Sequence, residues 1–277
     1  MPGQRGLRET VHPDWLIPDW PAPAGVRTLF TTRAGGVSMV PHDSLNLGDH
    51  VGDEPASVAA NRAMLGQALG ATPVFLQQVH GTKVLTLEAD SPHGQQADAA
   101  VTSQRGVACT IMVADCLPVL LSTLDGSVVA AAHAGWRGLA GSQGSGILEK
   151  TYASFTALAH MGPAQTAINT IAWLGPCIGP TAFEVGAEVR HAFTDASPQT
   201  GACFTAAAPG KYLADLARLA RLQLQALGIT RIYGNNSSAP WCTVGNASRF
   251  FSHRRDAGIH GNGHHTTGRM AACIWRE

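Results

Sequence analysis

Residues 107–138 read VACTIMVADCLPVLLSTLDGSVVAAAHAGWRG, and the fold is decided here. Val107 to Val113 is apolar, partly β-branched and of strand length, the composition of a buried strand. It stops at Ala114-Asp115-Cys116. Val119–Ser122 and Val128–Ala132 then flank Asp125-Gly126, a pair that accepts the left-handed backbone of a tight turn, so a hairpin is expected. Its second arm ends at His133. Ala134-Gly135-Trp136-Arg137-Gly138 leads from there into a helix expected over residues 143 to 160.

Upstream, Val26–Thr32 reads as a strand, followed by loops carrying Arg33-Ala-Gly-Gly-Val-Ser and Ser44-Leu-Asn-Leu-Gly. Pro55 and Gly70 bracket a helical pattern that runs to Leu69, as first-turn proline and C-terminal glycine should. Val74 to Val79 reads as a strand delivering His80, with Val84–Leu87 as its return strand. Downstream, Ile168–Leu174 is another strand and a short helix is expected near 186–193. Leu213, Leu216, Ala217, Ala220, Leu224 and Leu227 predict an amphipathic helix over Tyr212–Leu227. Strands at Ile229–Tyr233 and Met270–Trp275 complete the chain. Residues 1–25 are Pro-rich and read as an extended lead-in; residues 26–277 read as one domain. Strands and helices mix without strict alternation, which favours an α+β fold with mixed sheets.

Composition narrows the function. Of 277 residues, 45% are hydrophobic and 14% charged, enough apolar material for a sizeable core. Lys+Arg and Asp+Glu number 19 each, so the positive surplus of a nucleic-acid binder is missing. No apolar run is long enough to span a bilayer and no secretory leader is evident, so no membrane partner is expected and the cytoplasm is the expected compartment. Six scattered cysteines without a CxxC read as free thiols in that compartment.

His80, Cys116 and His133 each lie just past an expected strand, where a sheet can bring distant residues to one point. Two imidazoles and a thiolate form a good zinc set, and three protein ligands leave a fourth position for water or substrate. Gaps of 36 and 17 residues match no short metal motif. Two other readings of the same residues stay open: Cys116 and His133 as a metal-free nucleophile pair oriented by Asp115, and a scaffold protein whose zinc is structural. Arg33, Arg62, Arg137, Arg254 and Arg255 together point to an anionic substrate or phosphate, because guanidinium pairs bidentately with such groups. Asn46 is a candidate polar contact. Ala34-Gly35-Gly36 is no Walker loop and no GxGxxG follows a strand, so ATP and dinucleotides are unsupported. His253, His260, His264 and His265 read as an adventitious metal binder rather than a copper cluster.

Several motifs occur in order: Phe30-Thr-Thr-Arg-Ala-Gly-Gly-Val-Ser, Ser44-Leu-Asn-Leu-Gly-Asp-His-Val-Gly-Asp, Asn61-Arg62, Gln78-Val-His-Gly, Ala97-Asp-Ala, Ala114-Asp-Cys-Leu-Pro, His133-Ala-Gly-Trp-Arg-Gly and Leu174-Gly-Pro-Cys-Ile-Gly. Phe183-Glu-Val-Gly, Cys242-Thr, Phe251-Ser-His-Arg-Arg-Asp and Thr267-Gly-Arg follow. From about residue 26 to the end, the chain resembles the bacterial YfiH family, also called the laccase-domain or polyphenol oxidase family. The resemblance implies a four-layer α/β/β/α fold with mixed sheets, and a metal site at His80, Cys116 and His133. It departs from the family at His253 and His42, where tyrosine and an aromatic residue are frequent. Family members are described as purine nucleoside phosphorylases that also deaminate adenosine and cleave methylthioadenosine. Others are described as editing factors hydrolysing a UDP-muramoyl-serine amide, and older naming makes them copper laccases. Laccase chemistry needs more histidines than one Cys-His-His set supplies. The expectation is therefore a zinc-dependent (copper being the alternative metal) purine nucleoside phosphorylase with adenosine deaminase activity, as monomer or small homo-oligomer. Its metal would sit on His80, Cys116 and His133. Arg33, Asn46, Arg62 and Arg137 would contact nucleoside or phosphate, and Asp115 would orient or transfer a proton. The muramoyl-serine amidase is the runner-up.

Overall fold

Alternation along three strands sets the layers. In β5 (Val107–Val113), Val107, Cys109, Ile111 and Val113 point into one apolar cluster while Ala108 and Met112 point into another. In β6 (Leu117–Thr123), Leu120 joins the first of these clusters, and Leu117, Val119 and Leu121 join a third. In β7 (Val129–Ala134), Val129 and Ala131 likewise face the shared cluster, with Ala130, Ala132 and Ala134 on the other side. Successive side chains of a strand point to opposite faces, so every strand here is buried on both. That requires two sheets packed together with further layers outside them.

The computed structural model describes residues 11–142, 144–256 and 266–277. One sheet runs β1 (Val26–Phe30), β13 (Met270–Arg276), β5, β2 (Thr72–Phe75). The other runs β12 (Arg231–Gly234), β8 (Thr170–Leu174), β6, β7, β4 (Ala99–Thr102), β3 (Val84–Thr86). Both are mixed: β2 pairs parallel with β5, β3 with β4 and β12 with β8, and the remaining pairs are antiparallel. Phe30, Trp173, Phe250 and Ile274 fill the core between the sheets. Helix α1 (Pro55–Leu69) covers the four-stranded sheet through Leu65 and Leu69. Further helices carry the layer outside the six-stranded sheet: α2 (Trp136–Ala140), α3 (Ile147–Ala159), α4 (Pro163–Ile168), α5 (Ala187–Thr194) and α6 (Leu216–Ala226). A short helix α7 (His253–Asp256) precedes β13. The result is an α+β, four-layer α/β/β/α domain. No helix among the described residues is long and apolar enough to cross a membrane.

Several expected elements take a different form. The strand expected over Val74–Val79 ends at Phe75, and its expected return strand, β3, lies in the other sheet. Residues 76–83 therefore cross between sheets, and His80 sits on that crossing with φ 60°. The helix expected from Tyr212 starts at Leu216, because Lys211–Ala214 forms strand β11 and Asp215 caps the helix by accepting from the Arg218 N–H at 2.9 Å. β11 pairs with β9 (Glu184–Gly186) and β10 (Phe204–Ala206) in a small third sheet that the sequence did not announce. The helix expected from residue 143 begins at Ile147. Residues 11–25 pack rather than trail: Trp20 lies in the core between the sheets, and Trp15 in the cluster beneath α1.

Candidate metal centre and cleft

The chain changes sheets twice near one point, and the metal-donor side chains gather there. His80 comes from the crossing after β2. Cys116 comes from the three-residue link between β5 and β6, which belong to different sheets. His133 lies inside β7, one residue before its end. The ligand-type atoms of the three all lie within 4.8 Å of one another. His133 is buried, Cys116 half-buried and His80 exposed towards the opening. Zinc–sulfur and zinc–nitrogen bonds of about 2.3 and 2.1 Å at a tetrahedral angle put two such donors about 3.6 Å apart. Cys116 Sγ and His80 Nε2 are 3.6 Å apart. Donor chemistry and spacing therefore fit a divalent metal of the zinc class.

Glycine at 135 makes this approach possible. A Cβ there would lie 2.9 Å from His80 Cδ2 and 3.0 Å from Cys116 Sγ, closer than carbon normally comes to either.

Asp98 holds the centre from behind. It precedes β4, and continuing the β4–β7 register (Ala99 opposite Ala132) places it directly across from His133. Fully buried, it lies with Oδ1 2.8 Å from His133 Nδ1. A carboxylate only accepts, so Nδ1 carries the proton and Nε2 is left for a metal. Burial alone would raise the Asp98 carboxyl. The hydrogen bond and charge of His133 and the N–H groups of Gly81 and Val79 outweigh it and hold the group below its usual value. Burial would likewise disfavour a Cys116 thiolate, but the charges and hydrogen bonds of His133 and His80 pull the thiol down instead, towards the form that binds metal.

Asp115 does not face an imidazole. Its Oδ1 accepts from Thr243 Oγ1 at 2.5 Å and its Oδ2 from the Arg254 N–H at 2.6 Å, so it fastens the Cys116 link to a distant loop and to helix α7. The carboxylate that orients His133 is Asp98, which the sequence reading missed. Two signals for it were the Ala97-Asp-Ala motif that helps carry the family resemblance and the presence of an acid inside the apolar run Ala97–Val101, where a buried carboxylate must find donors.

The trio opens into a cleft of about 380 Å³, a size suited to a small organic ligand. Trp136, Ile178, Phe183 and Leu216 wall it, and Arg137, Arg254 and Arg269 supply positive charge. The Arg137 guanidinium lies 4.5 Å over the Trp136 ring and has no hydrogen-bond acceptor among the described residues. Arg269 is anchored by Nη1 to the Thr267 carbonyl at 2.8 Å. His50 and His253 also line the cleft.

Three expected substrate contacts do not reach it. Arg33 is spent on Asp43 and the Ala247 carbonyl. Arg62 donates to the Leu47 carbonyl, pairs with Asp49 and stacks on Phe75. Asn46 is fully buried and bonds Gly48, Asp53 and the Arg269 N–H. Arg62 and Asn46 instead support Met112 and Arg269, which line the cleft. Of the histidine cluster, His260, His264 and His265 lie outside the described residues.

Residues 27–277 match the family described as multi-copper polyphenol oxidoreductase laccase. A Pseudomonas aeruginosa protein named purine nucleoside phosphorylase is 47% identical over 264 residues, covering 95% of this chain and 98% of its own. Escherichia coli YfiH, named likewise, is 45% identical over 94% of this chain and 98% of its own. The chain belongs to the YfiH family. Among solved YfiH-family relatives, a Neisseria meningitidis protein superposes with a TM-score of 0.83 at 44% identity, covering 95% of this chain and 99% of its own. YlmD from Geobacillus stearothermophilus superposes with 0.81 at 32% identity, covering 95% and 96%. This member of the YfiH family shares their fold over nearly its whole length.

Proposed function

We propose that this chain is a metal-dependent purine nucleoside phosphorylase, with zinc on His80, Cys116 and His133 and residues 26–277 as its catalytic domain. The observation that carries the reading is the meeting of that donor set with Arg137, Arg254 and Arg269 in one cleft walled by Trp136 and Phe183. The names of its close relatives point the same way.

The residues divide the work. Trp136 and Phe183 offer aromatic faces to a purine ring. Arg137 and Arg269 hold a phosphate dianion, since guanidinium matches its oxygens bidentately, and Arg254, whose guanidinium donates to the Ala182 and Glu184 carbonyls, adds its charge. A phosphate oxygen forms a bond to ribose C1′ as the C1′–N9 bond breaks. The purine leaves with the bonding pair and takes a proton, giving free base and ribose 1-phosphate. A zinc ion held by the three donors would supply Lewis-acid polarisation of substrate oxygen or nitrogen. The same cleft, filled with water in place of phosphate, supports adenosine deamination, in which water adds at C6 and ammonia leaves. A copper oxidase of several coppers needs more donors than the one trio found among the described residues.

The test is chromatography of adenosine, inosine, guanosine and methylthioadenosine incubated with zinc-loaded protein, with and without phosphate. Free base and ribose 1-phosphate that need phosphate, and are lost in His133→Ala, support the reading. Nucleosides untouched by the loaded protein would sink it, and the muramoyl-serine amide would be tried next.

A further inference from the structure

Asp98 touches more of the metal centre than any other residue outside the donor set. Besides His133 Nδ1, its carboxylate accepts from three consecutive backbone N–H groups: Val79 at 3.2 Å, His80 at 2.8 Å and Gly81 at 2.7 Å. Its own carbonyl accepts from the His133 N–H at 2.7 Å. The left-handed backbone of His80 turns those three N–H groups towards one point, a conformation that a non-glycine residue rarely adopts without support. One buried carboxylate therefore grips the side chain of one histidine donor and the main chain of the other.

We infer that Asp98 is the positioning residue of the metal centre: it fixes His133 with Nε2 towards the ion and pins the His80 turn, so that it sets metal affinity without binding the metal. The inference rests on the metal-site reading above. Three parts of the geometry require it. His133 Nδ1 has no other acceptor among the described residues, so without the carboxylate either tautomer becomes available. The 79–81 turn has no other side chain among the described residues satisfying its N–H groups. Asparagine cannot substitute, because its amide NH2 would face donors where the carboxylate presents an acceptor.

The experiment has two arms. In the first, ¹⁵N-histidine-labelled wild-type protein is loaded with ¹¹³Cd and the metal–nitrogen couplings are read by NMR. Coupling to His133 Nε2, with a protected proton on Nδ1, is expected; coupling to Nδ1 overturns the inference while leaving the metal site standing. Absence of cadmium binding altogether would overturn the metal reading and this inference with it. In the second arm, zinc affinity is measured by competition with a chromophoric chelator for wild type, Asp98→Asn and Asp98→Glu. Asp98→Asn is expected to lose about 10- to 100-fold in affinity, the range found when a partner behind a ligating histidine is removed. Asp98→Glu, which keeps the carboxylate, should recover part of it. A folded Asp98→Asn that holds zinc within twofold of wild type overturns the inference, even if its metal-free melting temperature has dropped. Should Asp98→Asn fail to fold, the wild-type NMR arm decides.

Discussion

Cys116 Sγ stands 3.6 Å from His80 Nε2, although 36 residues separate them; the strands before them, β2 and β5, pair in parallel in the four-stranded sheet. Neither side chain is placed there by local structure, so the contact is a product of strand pairing and of the two links that carry the chain between sheets. Removing either donor should leave the sandwich folded and open the metal shell. We expect Cys116→Ser and His80→Ala to bind zinc on the order of 100-fold more weakly or worse, at least matching losses behind the ligands. Equilibrium dialysis with metal analysis reads this directly, with circular dichroism checking the fold.

Gly135 gives a second prediction. A methyl group there must displace the His80 ring or the Cys116 sulfur. Gly135→Ala should lose about 1–3 kcal/mol in urea unfolding, the cost of overpacking a tight site. In cobalt-substituted protein the thiolate-to-metal absorption band should weaken or shift. An unchanged band would mean that the helix start yields rather than the donors.

The arginines separate by role. Arg137 has its guanidinium stacked and without an acceptor among the described residues, while Arg33 has its donors occupied. Arg137→Ala should raise the KM for phosphate about tenfold or more, as loss of a charge-assisted contact does, with little change in melting temperature. Arg33→Ala should do the reverse, lowering stability and leaving that KM within about twofold. Steady-state kinetics at varied phosphate, beside thermal melts, would expose any exchange of these roles.

Acid stability should depend on Asp53. Burial alone would raise its carboxyl, but bonds from Ser38, Asn46 and the Glu54 N–H, with His42 nearby, hold it below the usual value. With the folded group below the unfolded value of about 3.9, the unfolded chain binds the extra proton between the two. Asp53 therefore contributes fully above the unfolded value, and the contribution fades as pH falls through the folded one. Urea midpoints measured from pH 7 to pH 3 should fall less steeply for Asp53→Asn than for wild type. Parallel curves would remove Asp53 from the account.

The hairpin and the helix of residues 55–69 were legible because their signals are local. Asp125-Gly126 dictates a turn, and Pro55 with Gly70 marks two ends. β11 was hidden because Leu213 continues the spacing of Leu216 and Leu224, and only the capping bond of Asp215 shows where the helix begins. β4, with Ala99 and Ala100 in four residues, carries almost no pattern. The three donors could be listed from sequence, but their grouping could not be derived, since it depends on where two sheets meet. Asp98 escaped for the same reason: its partners come from β7 and from a crossing 17 to 19 residues away. A guanidinium aimed into a cleft and one caught by a carbonyl look alike in sequence, which is why Arg33 and Arg62 stood beside Arg137.

The crossing of residues 76–83 and the link at 114–116 both carry the chain from one sheet to the other. The donor set thus lies at a seam: His133 is inside the six-stranded sheet, and His80 and Cys116 sit where the chain leaves the four-stranded sheet for it. An ion that binds there would stabilise the state in which the three donors are together, by RT ln(1 + [L]/Kd). Apparent stability would then rise with the free metal concentration, and a chain whose donors are still apart would gain none of that rise.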